Sequence, residues 1–240
     1  MEIDLNADIA EGCPSDEELL PYLTSVNICC AGHAGSPLLA LKMMTLAQKY
    51  GLQIGIHPGY LDRDNFGRIE LNLPLEQIRA ELLFQIGGMV ALAQSQGVIL
   101  HHLKPHGALY HRLTYDEELA EMMIQVANTF NLGLVGLPES ALQKRAKNRC
   151  LFIAEGFADR GYAPSGQLIP RNQPGAIIHD PDIALAQIQH LIKQFAVRTI
   201  CIHSDTPNIV SFLKSLHSKL LENGIAVAPY SPLSNALNQK

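Results

Sequence analysis

The sequence predicts an α/β protein, a single (β/α) barrel of seven or eight parallel strands occupying residues 1–240 as one domain. Short apolar runs alternate with longer helical patterns along the whole chain, the pattern of parallel strands joined by right-handed crossovers. Seven or eight such units suit a closed barrel better than an open sheet. No linker or shift in composition divides the 240 residues, and a chain of that length buries roughly 70–75% of its unfolded surface in one core.

Strands are predicted over 2–8, 25–30, 52–57, 98–104, 132–137, 151–156 and 198–203, with a last one over 225–229. Helices are predicted near 37–50, 75–96, 117–130, 139–147, 181–194 and 207–223, with a short one near 16–23. Ser36-Pro37 offers a cap and then a proline at the first helical position. Gly51, Gly97 and Gly224 each follow a helical run, where a left-handed turn favours glycine. The stretch 156–175, with Pro164, Gly166 and Pro170, is the longest irregular segment. Segments of that length in compact domains tend to be functional.

Strand faces carry the first functional signal. In 2–8, Ile3, Leu5 and Ala7 face one way while Asp4, Asn6 and Asp8 face the other. In 52–57, Leu52, Ile54 and Ile56 oppose Gln53, Gly55 and His57; in 198–203, Ile200 and Ile202 oppose Cys201 and His203. A strand buried on both faces normally reads as nearly continuous apolar sequence. Polar groups inside a barrel must be paired or serve a ligand. They also gather where strands end, at Asp8, His33, His57, His106, Asp159 and His203-Ser204-Asp205, the face on which parallel barrels build active sites.

Composition narrows the function classes. A net charge of −5 argues against a nucleic-acid footprint. No run reaches the apolar length of a membrane span, and the acidic start is no secretory signal, so a cytoplasmic protein is expected. The five cysteines include no C-x-x-C pair and read as free, mostly buried thiols.

Among the candidates, Asp8 and Glu11 form a carboxylate pair able to divide acid, base and ligand roles; as a bland alternative, either caps the short helix. In HHLKPHG (101–107), His102, Lys104 and His106 fall at alternate positions. The lysine is expected to depress its imidazole neighbours and keep them neutral, while His101 faces solvent. Asp8, His57 and His106, from separate strand ends, make a candidate divalent-metal site. Arg160 and Arg171 are candidate clamps for a carboxylate or a phosphate, with a surface salt bridge as the bland alternative for Arg160. In HSDTP (203–207), Asp205 or Thr206 is expected to cap the following helix. No Walker-type phosphate loop or G-x-S-x-G nucleophile motif occurs.

DLNADIAEG (4–12), VNICCAGHAGSP (26–37), GIHPGY (55–60), NFGR (65–68), HHLKPHGALY (101–110), GFADRGY (156–162), LIPRNQPGAII (168–178) and HSDTP (203–207) occur in order. Together they closely resemble the LamB/YcsF family, whose members serve as the hydrolase subunit of bacterial-type 5-oxoprolinase. The resemblance implies a glycoside hydrolase/deacetylase-like barrel working with two partner subunits, which together use ATP to open the lactam ring of 5-oxo-L-proline to L-glutamate. It implies catalytic roles for Asp8, Glu11, His57, Lys104 and His106, and substrate binding by His33, Asp159, Arg160, Arg171, His203 and Asp205. The chain departs from the family pattern at Ala10 and Ser204, where glycine is usual, and at Ser36, where aspartate is usual. The alternatives are a stand-alone metal-dependent deacetylase or amidohydrolase, and a non-catalytic substrate-binding subunit.

Overall fold

The computed structural model describes residues 1–163 and 166–230; Pro164 of the predicted loop and residues 231–240 of the predicted domain lie outside them. β1 (Glu2–Ile9), β2 (Ser25–Cys29), β3 (Gln53–His57), β4 (Leu100–Leu103), β5 (Gly133–Gly136), β6 (Phe152–Phe157) and β7 (Thr199–His203) pair in parallel in chain order. β7 and β2 both pair with β1, so the ring closes with seven strands. The predicted last strand shrinks to β8 (Ala226–Val227), which pairs only with Glu2 and Ile3 at the start of β1. Pro229 follows, and its missing N–H ends the ladder.

Around the ring lie α1 (Asp16–Leu19), α2 (Pro37–Lys49), α3 (Leu75–Ser95), α4 (Gly107–Arg112), α5 (Glu117–Thr129), α6 (Ala141–Ala146), α7 (Pro181–Phe195) and α8 (Ile209–Glu222). Outward strand residues such as Leu5, Ala7, Ile54, Ile56, Ile200 and Ile202 pack against these helices in one continuous apolar shell. Ser36 caps α2 by accepting from the Leu39 N–H, so serine does there what the family's aspartate would. Ala10 takes φ +65°, the left-handed region that explains why glycine is usual at this position.

Two local expectations fail. α8 starts at Ile209 behind a left-handed Asn208, with no side-chain cap. Thr206 instead donates to Asp159, and Asp205 accepts from arginines. α4 was not foreseen, because six residues give too little periodicity to read.

The interior of the ring is polar, as the alternation of β1 predicted. Asp4 accepts from Thr24, Ser25 and Thr199. Asn6 donates to Glu155 and Thr199, and Asn27 bridges Asn6 to Asp8. His102 lies over Gly55, where an added Cβ would come within 2.2 Å of its Nε2. Its Nε2–H donates to Asn27 Oδ1 at 2.7 Å, and its bare Nδ1 accepts from the Tyr230 hydroxyl at 2.9 Å. Tyr230 itself packs on Val135 and Ile153 inside the ring.

Burial pushes His102 down to about 3, with His101 and Lys104 adding to the effect. A histidine depressed on folding stabilises the protein above its unfolded pKa of about 6.5, and that contribution is lost as pH falls towards 3. In urea unfolding across pH 3–7, His102→Gln is therefore expected to flatten the dependence of stability on pH by up to about 1.4 kcal/mol per pH unit, one proton's worth. An unchanged slope would refute the buried neutral imidazole.

Candidate active site

At the C-terminal end of the ring a cavity of about 380 Å³ opens, lined at its floor by Asp8, Glu11, His57, Lys104 and His106. Lys104 is 2% exposed, yet its Nζ meets Asp8 Oδ1 at 2.9 Å, Glu155 Oε1 at 2.9 Å and Cys201 Sγ at 3.0 Å. Burial alone would depress it; Asp8, Cys201 and Glu155 instead hold it well above the usual lysine value. Glu155 also accepts from Asn6 and Tyr110, and burial raises its pKa against the pull of Lys104. Burial would raise Asp8 too, but His57 and Lys104 take it well below the carboxylate range.

β4 ends at Leu103, but its backbone stays extended. Lys104 N–H donates to Ile56 O and His106 N–H to Pro58 O, so the predicted alternation of His102, Lys104 and His106 persists past the strand. His57 Nδ1–H donates to the Lys104 carbonyl at 2.7 Å, and His106 Nε2–H donates to the Phe66 carbonyl at 2.8 Å. Those bonds fix both tautomers and leave bare nitrogens, His57 Nε2 and His106 Nδ1, facing each other at 2.9 Å. Two lone pairs cannot bond, so the pair is suited to take up a proton or a cation between them.

Glu11 Oε1 completes the group, 3.0 Å from His33 Nε2, 3.3 Å from His106 Nδ1 and 3.7 Å from His57 Nε2. His33 stacks on His106 with ring centroids 3.7 Å apart. One donor atom from each of Glu11, His33, His57 and His106 lies within 4.8 Å of all the others. Burial pushes His57 down to about 3 and depresses His33. Lys104 adds to the lowering at His57 and His102, as expected, but burial is the larger cause. Burial would also raise Glu11, but His106 and His33 hold it well below the carboxylate range.

Asp8 approaches this group through His57 alone, Oδ2 to Nε2 at 3.3 Å. The predicted trio of Asp8, His57 and His106 is thus redrawn, with Glu11 and His33 in the place of Asp8. Asp8 instead falls in a second potential donor group with Cys201 and His203.

Of the predicted substrate-binding residues, Arg160, Arg171 and His203 line the cavity, while His33, Asp159 and Asp205 do not. Asp159 is fully buried; it accepts from the His203 N–H, His203 Nδ1–H and Thr206. The Arg160 guanidinium braces its own loop through the Ala176 and Ile169 carbonyls. Sequence reasoning missed Glu155, Tyr110 and Arg68. Glu155 shares the inward face of β6 with the apolar Ile153 and Phe157, so that face carries none of the polar alternation that marks β1.

The sequence matches the LamB/YcsF family over residues 3–235. Among solved structures, a lactam utilization protein from Thermus thermophilus is 33% identical, covering 96% of this chain and 100% of its own, with a TM-score of 0.86. The barrel also resembles the catalytic domain of a peptidoglycan N-acetylglucosamine deacetylase from Eubacterium rectale (11% identity, 98% and 90% covered, TM-score 0.54). A chitinase from Pseudoalteromonas aurantia is similar too (9% identity, 90% and 100% covered, TM-score 0.55). These last two likenesses concern the fold alone, and they match the expected barrel type.

Lys104→Met leaves Asp8 and Glu155 buried without their shared cation. It is expected to destabilise the protein by about 3–5 kcal/mol, and adding Glu155→Gln should recover part of that loss. Denaturant unfolding of the single and double variants measures both; equal stabilities for Lys104→Met and wild type would disprove the pairing.

Proposed function

The chain belongs to the LamB/YcsF family, and on that premise we propose that it is the hydrolase component of an ATP-dependent 5-oxoprolinase, acting with two partner subunits. The observation that carries this reading is the cavity itself, with ionised carboxylates and imidazoles at its floor and arginines at its margin, in a chain 33% identical to a lactam utilization protein. Its size suits a small cyclic amide with polar substituents.

A lactam amide resists water. In the proposed sequence the partners transfer a phosphoryl group from ATP to the lactam oxygen, and the activated ring is opened in this cavity. Water adds to the activated carbon, and a proton reaches the ring nitrogen as the C–N bond breaks. The resulting acyl phosphate takes up a second water and releases phosphate, leaving L-glutamate. The bare nitrogens of His57 and His106 converge on one point, so the pair is suited to accept a proton from water and return it to nitrogen. Asp8 orients His57 and stabilises positive charge on it.

Glu11, His33, His57 and His106 also fit a divalent metal. A tetrahedral centre with bonds near 2.0–2.1 Å separates its ligand atoms by about 3.3 Å, close to the spacings Glu11 keeps with His33 and His106. Bound there, a metal would supply a Lewis acid that makes nearby water more acidic. This fit favours, as the second reading, a metal-dependent amidohydrolase that needs neither ATP nor partners.

The deciding measurement is glutamate release from 5-oxo-L-proline. The complete complex with ATP is expected to be active, and the chain alone inactive; ATP-independent turnover by the chain alone would select the second reading. In the complex, Asp8→Asn should lower turnover on the order of 10²-fold while the thermal midpoint shows that the fold persists, since Lys104 keeps Glu155. Elemental analysis tests the metal separately: about one transition-metal ion per chain is expected, reduced in His57→Ala, and a metal-free active complex would eliminate it.

A further inference from the structure

Three loops meet at the margin of the cavity through one carboxylate. Arg68, after β3, donates to Asp205 Oδ2 at 2.6 Å, and Arg171, after β6, reaches both Asp205 oxygens at 3.3 Å. Asp205, after β7, is absent from the cavity lining, whereas both arginines belong to it. The exposed aspartate thus joins the two guanidinium groups at the cavity margin. Each arginine commits one terminal nitrogen to it, Nη2 of Arg68 and Nη1 of Arg171, and a guanidinium carries five N–H donors.

We propose that Arg68 and Arg171, drawn together by Asp205, form a two-arginine clamp for the carboxylate of the substrate. The identity of that substrate rests on the lactamase reading; the clamp itself specifies only a small carboxylic acid. Two planar donors converging from different loops suit a carboxylate, which accepts in bidentate fashion. With one aspartate between them the two arginines keep one net positive charge for the ligand. Neighbouring charge agrees: burial, then Arg160, His203 and Arg171, depresses His111 on the same wall.

The clamp also has a fixed register to the floor. Arg68 lies 4.7 Å over the Phe66 ring, and the Phe66 carbonyl accepts from His106 Nε2. Phe66 and Gly67 both take positive φ, +54° and +61°. A Cβ on Gly67 would press to 3.0 Å on His33 and His106. The loop that offers Arg68 is thus moulded onto the imidazole group, so a carboxylate held by Arg68 sets the rest of the ligand at a defined distance from His106. Asp205 is a positioning residue in this scheme.

Calorimetry on the full chain tests the clamp with 5-oxo-L-proline, its neutral carboxamide, glutarate and inorganic phosphate. Arg68→Gln and Arg171→Gln should each weaken 5-oxo-L-proline about 10- to 100-fold, the scale of a hydrogen bond to a charged group, and change the carboxamide less than twofold. Asp205→Asn should weaken the acid by a smaller factor, about threefold. Equal losses for acid and carboxamide, tighter binding of the acid by Asp205→Asn, or arginine-dependent phosphate binding stronger than that of both acids would each overturn the clamp. So would a wild-type chain that binds no carboxylate. Arginine-dependent binding of glutarate without 5-oxo-L-proline would keep the clamp and remove the lactamase reading.

Discussion

The arrangement of the site depends on a buried ammonium group. Lys104 reaches Asp8 on β1, Glu155 on β6 and Cys201 on β7 from the end of β4. The end of β4 is thereby tied across the ring to three neighbouring strands on its far side, β6, β7 and β1. A lone buried charge costs several kcal/mol, and so does each carboxylate; the ammonium group and the carboxylates offset one another. The network contributes specificity more than stability. It holds Asp8 ionised and aimed at His57 while the strands around it are held by apolar packing on the outside.

Below Lys104 the polar interior continues without a break. Glu155 leads to Asn6, Asn6 to Thr199 and Asn27, Thr199 to Asp4, Asn27 to His102, and His102 to Tyr230. Burial lifts Asp4 to about 6 despite three hydroxyl donors. Seven strands leave a narrower lumen than eight. Here the lumen is shared by hydrogen-bonded polar side chains and a small apolar cluster of Val135, Ile153 and Tyr230, with Gly55 giving up its side chain to make room for the His102 ring. The apolar work is displaced to the helix-facing shell, which is why the strands alternate.

That alternation made much of the fold legible. Asp4, Asn6 and Asp8 announce an inward polar face within eight residues, and the strand-helix rhythm gives the parallel ring. Strand count was undecided because β8 and a ring strand differ only in where a short apolar run pairs, information that no local pattern contains. The site was legible by residue type at Asp8, Glu11, His57 and His106, since all lie at strand ends. Their partnership was not. Whether Glu11 or Asp8 completes the histidine group depends on the left-handed turn at Ala10, which redirects the chain between them. Arg68 was hidden because its role comes from Asp205, 137 residues away.

The two tautomer-fixing carbonyls give this site its chemical character. Lys104 O and Phe66 O are backbone groups on elements built for other reasons, a strand end and a tight loop. Each takes an N–H from one imidazole, and the remaining nitrogens are left bare and in contact. Rotating either ring away would strand a buried donor and acceptor, at about 1–3 kcal/mol for each group. Stacking with His33 and the edge of Phe66 further limits His106. The rings are thus held where their lone pairs oppose each other, and relief comes from a positive charge between them. Glu11 beside them and Asp8 beyond supply the negative field that makes such a charge stable. A proton placed there is mobile on demand, and a metal placed there is anchored; both readings of the chemistry start from the same enforced approach of two bare nitrogens.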